Sequence, residues 1–383
     1  MDQVLLYSLS DRIKDARPKR ILSLDGGGTK GIVTIAMLKK LEDSLKTLLP
    51  ESERDNFRLN RYFDYIGGTS TGSIIAVLLS LGYSVADVHL LYSNLSKKVF
   101  GFSSKKCIAK LSFGTIPGYK AKHIERLLDE KLGDMKLGDS QIKNLLAIFT
   151  KNTHTNNIWT FNNNPASKFY NSPDDYQDAY PNKDQYLKDL VRASTAAPYY
   201  FSPKELKIRK DTSKKAQTSL FIDGGVSMEN NPAFRLFLMA TVPYYRLKWN
   251  TGENNLLLVS LGTGIFTNNF KSGLLSLISI PDMYIKNSTQ TVDAILRGLS
   301  THKNKYIIDK ELKDIQPGDF GITPRLTYLR YNYKFRGLPG YKNKWAEMDN
   351  PDNLDELYKI VSGSYVFNID DIPQNFLEHY YTW

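Results

Sequence analysis

Cysteine is nearly absent from this chain: Cys107 is the only one among 383 residues. A single thiol rules out an internal disulfide framework and a cysteine-cluster metal site, and it fits a reducing compartment. Long apolar runs are missing as well. The best candidates, IIAVLLSLG and NLLLVSLGTG, fall short of the roughly 18 residues of a membrane-spanning helix, and they read as a buried helix and a buried strand. The first twenty residues, MDQVLLYSLSDRIKDARPKR, lack a basic leader, and their apolar stretch is too short for a signal peptide. The expectation is a cytoplasmic protein, soluble or peripheral to the inner face of a membrane. Acidic residues are outnumbered, 40 against 51 basic ones, for a formal charge of +11. Such a balance favours anionic membranes, nucleic acid or nucleotides without choosing among them.

What is present has a clear order. Between residues 20 and 265, short apolar strands, glycine-containing turns and amphipathic helices alternate, which predicts an α/β fold around a mostly parallel sheet. The strand candidates are Arg20–Leu24, Tyr62–Ile66, Ser219–Ile222 and Leu256–Leu261. Residues 151–183, rich in Asn, Pro and Asp, read as a surface excursion. Past Gly264 the pattern changes, so 19–265 is expected to be the catalytic domain and 266–383 a C-terminal elaboration packed on it.

Three glycine turns carry the chemistry. The first, DGGGTKG at 25–31, has the composition of a phosphate loop of actin-like sugar kinases. That loop joins two strands of a hairpin, whereas here Ile35, Leu38, Leu41, Leu45 and Leu48 recur at helical spacing. The turn therefore runs from strand to helix and aims the N–H groups of Gly26, Gly27 and Gly28 at a helix N-terminus, where negative charge is favoured. A dinucleotide fingerprint, G-x-G-x-x-G with an acidic residue closing the next strand, is a further reading of GGGTKG. The second turn, GTSTG at 68–72, matches G-x-S-x-G between an apolar strand and an apolar helix. In that context Ser70 reads as a raised nucleophile with the Thr71 N–H as an oxyanion donor, or else as a tight phosphate-binding turn. The third, DGGVSMENNP at 223–232, ends a strand at Asp223, where active sites of open sheets gather. Asp223 reads either as the base for Ser70 or as a side chain bracing its own turn. Of the five histidines, the chain order of an α/β-hydrolase would single out His302 or His379, and both sit in polar or packing contexts away from a strand end.

DGGGTKG, GTSTG, RASTAAPYYF at 192–201 and DGGVSMENNP resemble, in order and spacing, the patatin-like phospholipases over roughly residues 19–265. The resemblance implies a three-layer α/β/α fold and a dyad of Ser70 as nucleophile and Asp223 as base. It also implies an oxyanion hole from Gly26, Gly27 and Gly28, with Lys30 bracing that loop or meeting a lipid phosphate. The implied reaction is hydrolysis of fatty-acyl esters of membrane glycerophospholipids through an acyl-enzyme, with no metal and no cofactor. Some bacterial members with a similar C-terminal extension act in antiviral defence under a cyclic nucleotide, so a cyclic di- or trinucleotide activator is a further implied partner. A DNA or RNA polymer is not expected, and a homo-oligomer is left open.

Two basic, aromatic stretches bear on partners. Residues 97–122 carry seven lysines and no acid, interleaved with Phe100, Phe102, Phe113 and Tyr119. They suit an anionic interface or a packed excursion. Leu274–Ile280 is a second apolar patch, read as a lid, a membrane contact or an oligomer interface. RYNYKFR, within 325–345, is expected to be a half-buried strand with Tyr331, Tyr333 and Phe335 on one face and Arg330, Lys334 and Arg336 on the other. The basic face would be a site for an anionic regulator. The competing functions are a sugar kinase using DGGGTK and a non-catalytic lipid-binding protein.

Overall fold

The computed structural model describes residues 8–101, 119, 121–210, 217–267, 283–304, 306–378 and 380, with 276–282 as backbone only. Its strands are β1 Lys19–Leu24, β2 Tyr65–Thr69, β3 Leu145–Asn152, β4 Ile158–Asn162, β5 Lys204–Lys207, β6 Thr218–Asp223, β7 Leu256–Leu261, β8 Ser300–Thr301 and β9 Leu326–Tyr331. The helices are α1 Leu9–Lys14, α2 Gly31–Thr47, α3 Glu51–Arg54, α4 Thr71–Ser80, α5 Val85–Phe100, α6 Ala121–Leu132, α7 Leu187–Ser194, α8 Ala233–Thr241, α9 Ser276–Gly298 and α10 Leu354–Ser364.

All the described strands join one sheet in the order β5-β6-β3-β2-β1-β7-β9-β8, with β4 beside β3. The centre is parallel, from β3 through β2, β1, β7 and β9 to β8. The pairs β3–β4, β3–β6 and β5–β6 are antiparallel. Parallel strands covered on both faces read as unbroken apolar runs, and β1 and β7 are buried at every residue for that reason. Alternate strand side chains feed two cores. Leu22, Leu24, Ile66 and Val259 pack with α2, α4, α5, α6 and α7 on one face. Ile21, Tyr65, Leu258 and Tyr328 pack with α8 and α9 on the other. The result is the expected α/β architecture, helices on both sides of a mostly parallel sheet.

Two strand readings shift. The predicted Tyr62–Ile66 strand begins at Tyr65, because Leu59–Arg61 form a 3₁₀ turn and Tyr62 and Phe63 pack edge to face in the core. The predicted alternation through RYNYKFR also fails. β9 ends at Tyr331 and pairs with β7 and β8 on its two edges, while its side chains enter both cores, so every residue in it is buried. Arg330 is 1% exposed, and only Lys334 and Arg336 of the expected basic face reach solvent. The C-terminal residues thus extend the same sheet that the earlier residues build.

Candidate active site

The register of β3 decides where the second and third glycine turns go. Phe149 pairs with Thr69 of β2, and the next residue, Thr150, pairs with Asp223 of β6. Because β4 occupies the other edge of β3 along this stretch, β2 and β6 share one edge and meet end to end. β2 runs parallel to β3 and β6 antiparallel, so their C-terminal ends abut. Ser70 leaves one end and Asp223 closes the other. The Ser70 Oγ donates a hydrogen bond to Asp223 Oδ2 at 2.6 Å.

The serine turn is sharp and strained. Ser70 has φ 54° and ψ −124°, a conformation that costs a non-glycine residue about 1–3 kcal/mol. It can form because its neighbours lack side chains: a Cβ on Gly68 would stand 2.1 Å from the Gly72 carbonyl oxygen, and one on Gly72 would stand 2.2 Å from that of Leu24. The Ser70 N–H donates to Ser194 Oγ at 2.9 Å, and Ser194 in turn donates to the Phe149 carbonyl at 2.7 Å. Ser194 therefore ties the serine to the middle strand.

The two oxygens of Asp223 have different partners. Oδ1 accepts the Gly225 N–H at 2.7 Å and braces the turn, while Oδ2 faces the serine. Burial pushes this carboxyl up to about 7, against the opposing pull of its bonds to Ser70 and Gly225. A free aspartate near 3.9 is too weak a base at neutral pH, and the shift brings it into the useful range.

The first glycine turn lies against the serine, since a Cβ on Gly26 would be 3.3 Å from Ser70 Cβ. Gly28 is left-handed, at φ +58°, and a side chain there would meet the Met348 carbonyl oxygen at 2.2 Å. Two hydroxyls pin the Gly28 carbonyl, Thr71 Oγ1 at 2.8 Å and Tyr92 Oη. The N–H groups of Gly27, Gly28 and Thr71 donate to nothing among the described residues. Gly26 departs from the expectation: its N–H is already given to the Asn230 carbonyl at 3.0 Å. Lys30 is buried, with its ammonium 5.5 Å from the Phe266 ring. His302 contacts Ser300, Asp314 and Gln316, none of them part of this cluster, and His379 lies outside the described residues.

Beneath the glycine turn sits a group that sequence reasoning missed. Arg330 of β9 binds both oxygens of Asp25, at 3.1 and 2.7 Å, and stands 3.3 Å from Asp293 of α9. Tyr328 and Asn231 also donate to Asp293. Burial works against the charge of Arg330, but Asp25 and Asp293 outweigh it and raise the guanidinium well above its ordinary value. Burial pushes Asp25 up to about 6 while Arg330 pulls it down.

A cavity of about 50 Å³ opens at Ser70, lined by Ile74, Leu95, Val99, Phe100 and Phe201 among others. Phe100 and Tyr119, expected at a membrane interface, pack edge to face beside it at 5.0 Å, and Tyr119 is buried with its hydroxyl on Asp349. Phe102, Phe113 and the side chains of the Leu274–Ile280 patch lie outside the described residues. Among those residues, no group of three or more His, Cys, Asp or Glu side chains is placed to hold a metal ion. No described helix is long and apolar enough to cross a membrane.

Comparison with known proteins gives the family of the chain. The family profile described as Patatin-like phospholipase matches residues 22–237, more than half the chain. The chain belongs to the patatin-like phospholipase family. Among curated patatin-like relatives, Patatin-07 and Patatin-15 of Solanum tuberosum are each 28% identical over 256 residues. That match covers 64% of this chain and 60% of each relative, so it spans less than two thirds of their length. Among solved structures, human GIVD cytosolic phospholipase A2 overlaps 92% of this chain and 60% of its own at 11% identity and TM-score 0.43. VipD from Legionella pneumophila overlaps 90% and 67% at 12% identity and TM-score 0.33. The patatin-like match ends before Thr263, Arg330 and Met348, which hold the glycine turn from the C-terminal side.

Proposed function

We propose that this patatin-like chain is a lipid acyl hydrolase of the phospholipase A type, cleaving fatty-acyl esters of membrane glycerophospholipids with a Ser70–Asp223 dyad. The observation that carries the reading is the 2.6 Å bond from Ser70 Oγ to a buried carboxylate, beside three N–H groups with no partner among the described residues. In the first half-reaction Asp223 takes the Ser70 proton as Oγ attacks the ester carbonyl carbon. The carbonyl oxygen becomes an oxyanion received by Gly27, Gly28 and Thr71, with Gly26 excluded because its N–H is engaged. Collapse expels the alcohol, which takes the proton from Asp223, and leaves an acyl-serine. Water then attacks that ester, giving its proton to Asp223; collapse expels the Ser70 Oγ, which takes that proton back, so that fatty acid is released and the free serine and the carboxylate are restored.

The sugar-kinase reading is disfavoured because DGGGTK joins β1 to α2 and not two strands of a hairpin. A cyclic di- or trinucleotide gate is the finer proposal. It is supported by exposed Lys334 and Arg336, and by the C-terminal Met348 carbonyl that accepts the Thr29 N–H of the glycine turn at 2.7 Å. The test is fatty-acid release from phospholipid vesicles by wild type, Ser70→Ala and Asp223→Asn, each with and without a cyclic-nucleotide panel. Both substitutions are expected to cost about a thousandfold or more. Release that survives Ser70→Ala overturns the dyad, and release indifferent to every nucleotide overturns the gate.

A further inference from the structure

Two cavities open along the same helices. Besides the small one at Ser70, a groove of about 200 Å³ lies further along α4, α5 and α6, lined by Val77, Leu78, Leu91, Leu127, Leu128 and Val191 among others. Ile74, Tyr92 and Leu95 line both spaces, so one layer of side chains divides them. Helical spacing puts the two in line. On α4, Thr71 and Ile74 face the small cavity and Val77 and Leu78 the groove; on α6, Ile124 faces the first and Leu127 and Leu128 the second. Successive turns of the same faces thus line one path.

We propose that the cavity and the groove are successive compartments of one channel, which takes the unbranched acyl chain of the ester cleaved at Ser70. The groove holds the distal methylenes. This rests on Ser70 being the nucleophile. The compartment at Ser70, at about 50 Å³, is too small for a fatty chain. The groove, at about 200 Å³, exceeds the roughly 150 Å³ of an aliphatic cavity that admits benzene. From Ser70 to Leu78 the path advances about 12 Å along the helix, the reach of a medium-length acyl chain. Tyr92 is the fixed part of the dividing wall, because its hydroxyl is held by the Gly28 carbonyl. Ile74 and Leu95 have apolar side chains with no hydrogen bond to give up, so rotamer changes there join the compartments. The charged lining residues Lys98, Glu130 and Lys131 are exposed, which leaves the interior to alkyl groups.

The experiment compares kcat/KM for p-nitrophenyl laurate and p-nitrophenyl butyrate. Leu91→Trp, at a half-buried position that tolerates bulk, and Leu127→Trp each fill the groove. Either is expected to lower the laurate-to-butyrate ratio tenfold or more, and Leu95→Ala, which thins the wall, to raise it. Thermal melts establish that each variant is folded. A ratio within twofold of wild type in folded Leu91→Trp and Leu127→Trp overturns the channel. Laurate binding to Ser70→Ala gives a readout independent of catalysis, with a tenfold rise in Kd expected on adding either tryptophan. If wild type hydrolyses no ester, the nucleophile reading falls, and the channel is decided by this binding. Absent binding, or a Kd unmoved by the tryptophans, overturns it.

Discussion

The serine turn and the glycine turn face each other across one small cavity, yet they are held from different parts of the chain. Ser70 is fixed by Ser194, Phe149, Asp223 and the Thr69–Glu229 contact, all inside the residues that match the patatin-like family. The glycine turn draws much of its support from beyond them: Arg330 on Asp25, Met348 on Thr29 and Thr263 on the Gly26 carbonyl. The two supports also differ in kind. Apart from Asp223, neutral hydroxyls and backbone groups hold the serine, whereas the glycine turn adds to such contacts a buried guanidinium between two carboxylates. The N-terminal glycine turn therefore depends on the C-terminal strand β9, and the family motifs alone do not complete its support.

The largest effect that separates the turns is on stability. Arg330→Met strands two buried carboxylates and is expected to cost about 3–5 kcal/mol, while Ser194→Ala, which leaves the Ser70 N–H beside a cavity, costs about 1–3 kcal/mol. Chemical denaturation measures both, and equal losses would break the comparison.

Amidation of the two buried carboxylates should act in opposite directions at high pH. The carboxyl of Asp223 is raised to about 7, so its contribution to stability is fully present below pH 4 and is lost as pH rises through 7. Asp223→Asn removes that loss and is expected to melt higher than wild type at pH 8, where Asp25→Asn, which weakens the clamp on Arg330, melts lower. The proposed mechanism needs the Asp223 carboxylate, so the wild-type rate should fall about tenfold per pH unit well below 7. A rate that is flat from pH 5 to 8 removes Asp223 as the base.

The smallest effect probes the glycine turn directly. Tyr92→Phe keeps the ring but deletes one of two hydrogen bonds to the Gly28 carbonyl, at a cost of about 1 kcal/mol, or about fivefold in kcat. An unchanged kcat would mean that Thr71 suffices to orient the loop.

Much of this was legible in the residue order. The strand-to-helix character of DGGGTKG follows from the leucine spacing after it, and GTSTG announces a tight turn because Gly68 and Gly72 leave no room for a Cβ. Ser194 was in view within RASTAAPYYF, but no local pattern reveals that its hydroxyl reaches the Ser70 N–H. Arg330 was misread because alternation of basic and aromatic residues is a two-face signal only for a strand with one wet face. With β7 on one edge, β8 on the other and helices on both faces, β9 has none. The donors left without a partner among the described residues could not be sorted either, since local sequence does not tell that Gly26, and not Gly27, gives its N–H to the Asn230 carbonyl.

The sequence by itself determined the local forms: which segments are strands or helices, where glycine is obligatory, and which serine and aspartate stand at strand ends. These follow from periodicity and from the space around a backbone turn, both properties of neighbouring residues. Tertiary structure alone decided that β2 and β6 meet end to end on β3, so that residues 153 positions apart share a 2.6 Å bond. It alone placed a C-terminal arginine under an N-terminal glycine turn. Both depend on strand order and on burial that raises a carboxyl toward neutrality, and neither is encoded in any short stretch of chain.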